Sequence, residues 1–309
     1  MHPLLPAFVL MGCSMLWGLT WLALKHFGEY GLEGPVVTLF AHGSVALMAL
    51  PLLWRRRREW WSQRRSMALL ALAGGLANVA FASAIVLGEV TRVMALFYLL
   101  PAWGVLGGKL LLGEHIDGRR RVSLGAALGG AFLVLGGPEL WSAPPGLVDV
   151  LAVLSGLALA LNNIVFRAAQ SVSVPIKVSM SFVGCLLWAL ASIGLGAAEI
   201  PASVPAQVWL EVFAFGSIWI LVATAGTLWG VNQMEAGRSS VLIVTELVTA
   251  VVSASILTRR VPSFGEGVGG ALILLSALLE AWRPAQRQRN DAGDDAAHGK
   301  PAACHQGNA

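Results

Sequence analysis

Two ionisable side chains interrupt long apolar stretches of this chain. Glu246 lies in VLIVTELVTA and His42 in TLFAHGSVAL. If those stretches cross a bilayer, such groups cost about 2.5–3.5 kcal/mol on insertion scales, so each needs a reason to be there. A carboxyl desolvated at that depth can carry a proton, or it can pair with a cationic group such as a substrate amine. A buried imidazole can switch protonation near neutral pH, or stay neutral with one interhelical hydrogen bond. Glu246 and His42 are therefore candidates for proton coupling, and Glu246 is also a candidate substrate ligand. A structural carboxyl bonded to a neighbouring helix is the competing reading for Glu246.

Uncharged groups in similar runs widen the set. Asn78, Asn162 and Asn163 could hydrogen-bond a substrate, or bond between helices. Asn78 stands nearer the middle of its run, and Asn162 and Asn163 nearer an end, where they would suit a gate. Thr224 and Thr227 are weaker candidates. Trp17 and Trp21 are four residues apart and would share a helix face. Tyr98 and Trp103 flank Pro101. Such rings could line a cavity and stack on a flat, apolar or cationic ligand, or they could mark the interface belt. Trp54, Trp60, Trp61 and Trp282 read as belt residues. Pro101 removes a helix hydrogen bond and predicts a hinge, or else a static kink.

The elements that position these groups follow from composition. Hydrophobic residues are 56% of the chain and DEKR only 12%, against about 25% in ordinary globular proteins. Mean hydropathy is +0.71. So few charges cannot clothe a soluble surface. Ten apolar runs are long enough for membrane helices, at about 4–24, 34–54, 67–88, 92–112, 122–138, 147–168, 175–198, 208–232, 239–258 and 265–282. They are too long and too uniform for barrel strands. The first has no basic segment before it and reads as a retained helix. Cys13, Cys185 and Cys304 imply no disulfide framework.

Basic residues set the orientation. With the N-terminus inside, one face holds Arg55–Arg58, Arg64, Arg65, Arg119–Arg121, Arg167, Lys177, Arg238, Arg283, Arg287, Arg289 and Lys300, which is sixteen of the 21 Lys and Arg. The other face holds Lys25, Arg92, Arg259 and Arg260. This bias predicts a plasma (inner) membrane protein with both termini cytoplasmic. Residues 284–309 are polar and read as a disordered tail. The clustering of basic residues between apolar runs argues against nucleic acid as a partner.

Sliding the chain by 146 residues lays one half on the other. Glu89 and Arg92 fall on Glu235 and Arg238, and FYLLPAWGVLGGKLLLGE falls on IVTELVTAVVSASILTRR. Five helices per copy is odd, so the second copy enters the membrane inverted. The expected fold is an all-α integral membrane protein of ten transmembrane helices, with one five-helix repeat in 1–138 and another in 147–282. Inverted repeats of this kind build secondary transporters with a site near the midplane.

The chain resembles EamA-type members of the drug/metabolite transporter superfamily over about residues 4–282. The resemblance rests on Trp17-Gly18 with Lys25 following, on Pro101 within the fourth helix, and on Gly113-Glu114 closing it. It implies export or exchange of small metabolites through a cavity lined mainly by helices 1, 3, 4, 6, 8 and 9. The second half departs from the pattern, with Leu247 at the proline position and Arg259-Arg260 in place of Gly-Glu. It is therefore expected to bend less, or to gate differently. The implied cargo is an amino acid or related amphipathic compound, driven by a proton gradient or its own. Multidrug or nucleotide-sugar transport on the same fold is the alternative. A pyrophosphate-bearing ligand would want several Lys or Arg near the midplane, and none stands there.

A lipid-modifying membrane enzyme is a weaker reading, since only His42 and Glu246 offer chemistry. There is no GxxxxGK[ST], HExxH, CxxC or GxSxG, so neither enzyme, cofactor nor metal is expected. Glycine pairs four apart, Gly104/Gly108, Gly125/Gly129 and Gly226/Gly230, predict close helix packing within the bundle and would also suit a homodimer contact.

Overall fold

The computed structural model describes residues 4–87, 90–135, 145–259 and 263–281. Every regular element among them is helical. In chain order these are α1 (Leu5–Gly18), α2 (Thr20–Glu29), α3 (Gly34–Arg55), α4 (Arg57–Trp61), α5 (Arg64–Leu87), α6 (Val90–Phe97), α7 (Leu100–Leu112) and α8 (Gly118–Val134). The second half holds α9 (Leu147–Ala168), α10 (Val174–Gly194), α11 (Ala206–Ala214), a π-helical turn (Phe215–Ile220), α12 (Leu221–Asn232), α13 (Ala236–Ile243), α14 (Thr245–Thr258) and α15 (Phe264–Ala281). Glu89, Arg260, Trp282 and the tail 284–309 lie outside the described residues, as does the side chain of Arg92.

Seven helices among the described residues are long and apolar enough to cross a membrane: Leu5–Glu29, Gly34–Arg55, Arg64–Ile85, Leu147–Ala168, Val174–Gly194, Ala206–Asn232 and Ala236–Leu257. Leu100–Leu112 and Phe264–Leu279 are shorter apolar helices. The outside of the bundle is as oily as its interior. Leu110, Leu111, Ile218, Ile256 and Phe264 are all exposed, which suits lipid and not water.

Inside, Leu70, Phe166, Ile176 and Phe182 pack α5, α9 and α10 together, and Leu10, Leu100, Val231 and Leu242 join α1, α7, α12 and α13. In a bilayer, close backbone approach replaces much of the hydrophobic drive between helices. Gly184 allows it for α10 on α5, where a Cβ would stand 1.9 Å from the Ala71 carbonyl oxygen. Two of the three glycine pairs behave as expected. Gly104 and Gly108 face α13 at Ala236 and Ser240, while Gly226 and Gly230 face Cys13 and Leu10 on α1. The third pair corrects the expectation. Among the described residues Gly125 and Gly129 have nothing within 4 Å, and their neighbour Gly130 makes the close contact instead, against Gly269 and Ile273 on α15. The glycine spacing repeats every turn, but only one face of α8 meets α15.

Candidate functional site

Two helical rods are interrupted, and the interruptions match. α6 stops at Phe97 and α7 resumes at Leu100; α13 stops at Ile243 and α14 resumes at Thr245. Phe97 and Ile243 are 146 residues apart, which is the offset that aligns the halves. Short-range bonds tighten both turns: Leu99 N donates to the Leu96 oxygen at 3.3 Å, and Val244 N to the Val241 oxygen at 3.3 Å. Pro101 sits in the first turn of α7, where its missing N–H costs little. The second half carries Leu247 there and was expected to bend less, or to gate differently; it is interrupted all the same. Proline is thus not what breaks α13–α14. The ends match as well. Gly113 closes α7 with φ 68°, and Arg259 closes α14 with φ 51°, although it is not a glycine.

Glu246 stands in the first turn of α14, just past the interruption, where the helix dipole favours negative charge. The Tyr98 hydroxyl, at the other interruption, donates to Glu246 Oε1 at 2.8 Å. Tyr98 is buried and Glu246 half-buried. The competing reading of Glu246, a carboxyl bonded to a neighbouring helix, is therefore present in this conformation. Gly18 brings α1 onto the same place, since a Cβ there would come within 2.3 Å of the Glu246 carbonyl oxygen. Trp21 follows, its indole donating to Ser253 Oγ on α14 at 3.1 Å. The chain turns at Leu19, so Trp17 and Trp21 lie on separate helical segments. Trp17 packs instead against the cluster holding Phe182 and Leu228. Glu246, Tyr98 and Gly18 are brought together; Trp21 meets α14 further along, and Trp17 packs elsewhere.

The other candidates stand apart. Asn78 donates to its own helix, at the Gly74 oxygen, 2.9 Å away. Asn162 Oδ1 accepts from Ser181 Oγ at 3.5 Å. Asn163 is buried, and neither of its amide atoms has a hydrogen-bond partner among the described residues. The same holds for the Trp103 indole N–H and the Thr227 hydroxyl. His42 is buried on α3 with its ring 5.7 Å from Phe182, and neither ring nitrogen is hydrogen-bonded among the described residues. The interhelical bond that would make it merely structural is not found there.

Sequence reasoning passed over a further cluster. Arg120, counted only as a loop charge, is fully buried. It bridges Glu114 at 3.4 Å and Glu235. Glu114 also accepts from the backbone N–H groups of Ala236 and Gly237 at 2.7 and 3.2 Å, capping α13 from across the bundle. The cluster ties the α7–α8 connection to the start of α13. Its one sequence signal is the Gly113-Glu114 pair itself. Lys177, also fully buried, donates to the Phe166 oxygen at 2.8 Å and to Asn232. His26 meets Glu211 at 2.8 Å on an exposed edge.

Residues 4–136 match the model of the EamA-like transporter family. With the apolar helices, the EamA match marks a multi-pass membrane protein and points to a transporter of the drug/metabolite superfamily. The resemblance named from Trp17-Gly18, Pro101 and Gly113-Glu114 is borne out over that segment. No curated protein matches the chain. A solved structure, described only as the crystal structure of a protein, is similar with a TM-score of 0.70 at 19% identity, covering 89% of this chain and 96% of its own. At that identity the likeness concerns the fold, and it extends through the second half as well.

Proposed function

We propose that the chain is a secondary active transporter that moves a small amphipathic metabolite bearing an amine, such as an amino acid, by alternating access. The single observation that carries this reading is Glu246, a carboxylate inside the bundle at one helix interruption and bonded to Tyr98 at the matching one. Discontinuous helices facing each other are where transporters bind cargo. In this reading Glu246 takes either the substrate amine or a proton, and Tyr98 holds it between turnovers. Trp17 and Trp21 border the cargo, Trp103, Asn78 and Asn162 line its route, and Pro101 sets the hinge. His42 is the second proton candidate.

Ten spans in two inverted halves, 1–138 and 147–282, with both termini cytoplasmic in the inner membrane, complete the proposal. The packing partners support it. α1 meets α14 as α9 meets α6 and α7; α5 meets α9 as α12 meets α1; α3 with α10 and α8 with α15 pair across the axis. Each of these contacts has its counterpart when the halves are exchanged.

The test is uptake by proteoliposomes of purified protein, screened with labelled amino acids across pH 5–8, roughly the window in which a desolvated carboxyl or a histidine changes charge. Parent protein should transport, and Glu246→Gln should lower the rate and flatten its pH dependence. Uptake no greater than in protein-free liposomes, for every candidate, overturns the transporter reading. Unaltered transport by Glu246→Gln overturns the role of this carboxylate.

A further inference from the structure

The connection between α3 and α5 carries Arg55, Arg56, Arg57, Arg58, Arg64 and Arg65, all exposed. Among the described residues only Arg56 has a carboxylate partner, Glu59 at 3.7 Å. Glu59 is shared, its other oxygen accepting from Ser173 N at 2.5 Å. The other five arginines have no carboxylate partner among the described residues, unlike Arg120 between its two glutamates. Two tryptophans share the surface. Trp54 is 72% exposed and Trp61 59% exposed. The Arg57 guanidinium lies 5.3 Å from the Trp54 ring centre and that of Arg64 5.9 Å from Trp61. Beside them Ser62, Gln63, Arg64, Arg65 and Ser66 line a recess of about 320 Å³.

The surface does not hang free. The Trp60 indole donates to the Leu53 oxygen at 2.9 Å and folds α4 back onto α3, while Gln63 donates to Ser171 at 2.5 Å. It lies at the ends of Gly34–Arg55 and Arg64–Ile85, both fit to cross a membrane. That is the depth of lipid phosphates, whichever side of the membrane it faces.

We propose that this surface binds the phosphate groups of anionic phospholipids. Guanidinium groups pair with phosphate through two parallel hydrogen bonds. Exposed indoles favour the interface, where ring and N–H each find a partner. A charge serving only to orient the chain in the membrane needs neither the indoles beneath the guanidiniums nor a braced backbone. Because the brace joins the α3–α5 connection to the α9–α10 connection, bound lipid tightens the contact between them and stabilises the fold by mass action. The inference depends on the chain spanning a bilayer and not on what it transports.

The experiment uses the full chain in phosphatidylcholine nanodiscs with and without phosphatidylglycerol, read by thermal unfolding and by lipid titration. Phosphatidylglycerol should raise the unfolding temperature of the parent. Inorganic phosphate at matched ionic strength should not. The set Arg55→Gln, Arg57→Gln, Arg58→Gln, Arg64→Gln and Arg65→Gln should lose the rise, each arginine weakening lipid affinity about fivefold. The pair Arg119→Gln and Arg121→Gln, exposed in the first turn of α8, should keep it. Lysine at the same five positions preserves the charge that orients the chain, and the rise should then shrink but persist. The proposal is overturned if the parent shows no rise, if phosphate alone reproduces it, or if either five-site set retains it in full.

Discussion

Replacing Arg120 by methionine removes the charge at the centre of the cluster and keeps most of the volume. Arg120 has no exposed surface, Glu114 exposes 8% of its side chain and Glu235 25%. Two carboxylates would then lose the guanidinium they share. Breaking a buried pair by removing one partner costs about 3–5 kcal/mol. The partial exposure of Glu235 lets water screen its share, which places the expected loss near the lower bound, about 3 kcal/mol. For a chain of this size that is a fall in melting temperature of roughly 5 °C. The assay is thermal unfolding in detergent, followed by intrinsic tryptophan fluorescence. Adding Glu114→Gln to Arg120→Met removes one of the stranded charges and leaves an oxygen to accept from the α13 backbone. That double variant should regain part of the loss, with a coupling of about 1–3 kcal/mol. An Arg120→Met protein that melts with the parent would refute the reasoning, because the cluster would then be as well solvated as an exposed ion pair.

Two smaller perturbations follow from local geometry. Arg259 holds φ 51° at the end of α14, a conformation costing a side chain about 1–2 kcal/mol that glycine avoids. Arg259→Gly should gain about 0.5–1 kcal/mol net after the added freedom of the unfolded chain, while Arg259→Ala should gain nothing; equal melting of the two variants would contradict the left-handed cap. Hydrogen bonding from Ser173, with Arg56 adding, holds the Glu59 carboxyl below its ordinary range. A folded value below the unfolded one gives stability that is present above the unfolded value and lost as pH falls through the folded value. Glu59→Gln should therefore melt lower than the parent at neutral pH and converge with it in acid, and a constant gap down to low pH would count against the bond.

Glu246 stood out as a candidate in the sequence because a carboxyl in an apolar run is conspicuous by residue type alone. Its partner was not, since Tyr98 lies 148 residues away and nothing in either run specifies which helices meet. Pro101 pointed to an interruption in the first half. The one at Val244 carried no such mark, because Leu247 is an ordinary helix former; the break there is a property of the packed bundle. Arg120 was read with its neighbours Arg119 and Arg121 as a topology charge. Only the approach of α13, allowed by Gly104 and Gly108, buries it between two glutamates while the other two stay exposed.

Membrane residence, an all-helical architecture and the approximate ends of the helices are properties of the amino-acid order, because apolar length and charge clustering act residue by residue along the chain. Which glycine faces make contact, where helices stop without proline, and which charges are paired were decided by tertiary structure. Those outcomes depend on close contact between segments far apart in the chain, and one-dimensional periodicity holds no information about distance between helices.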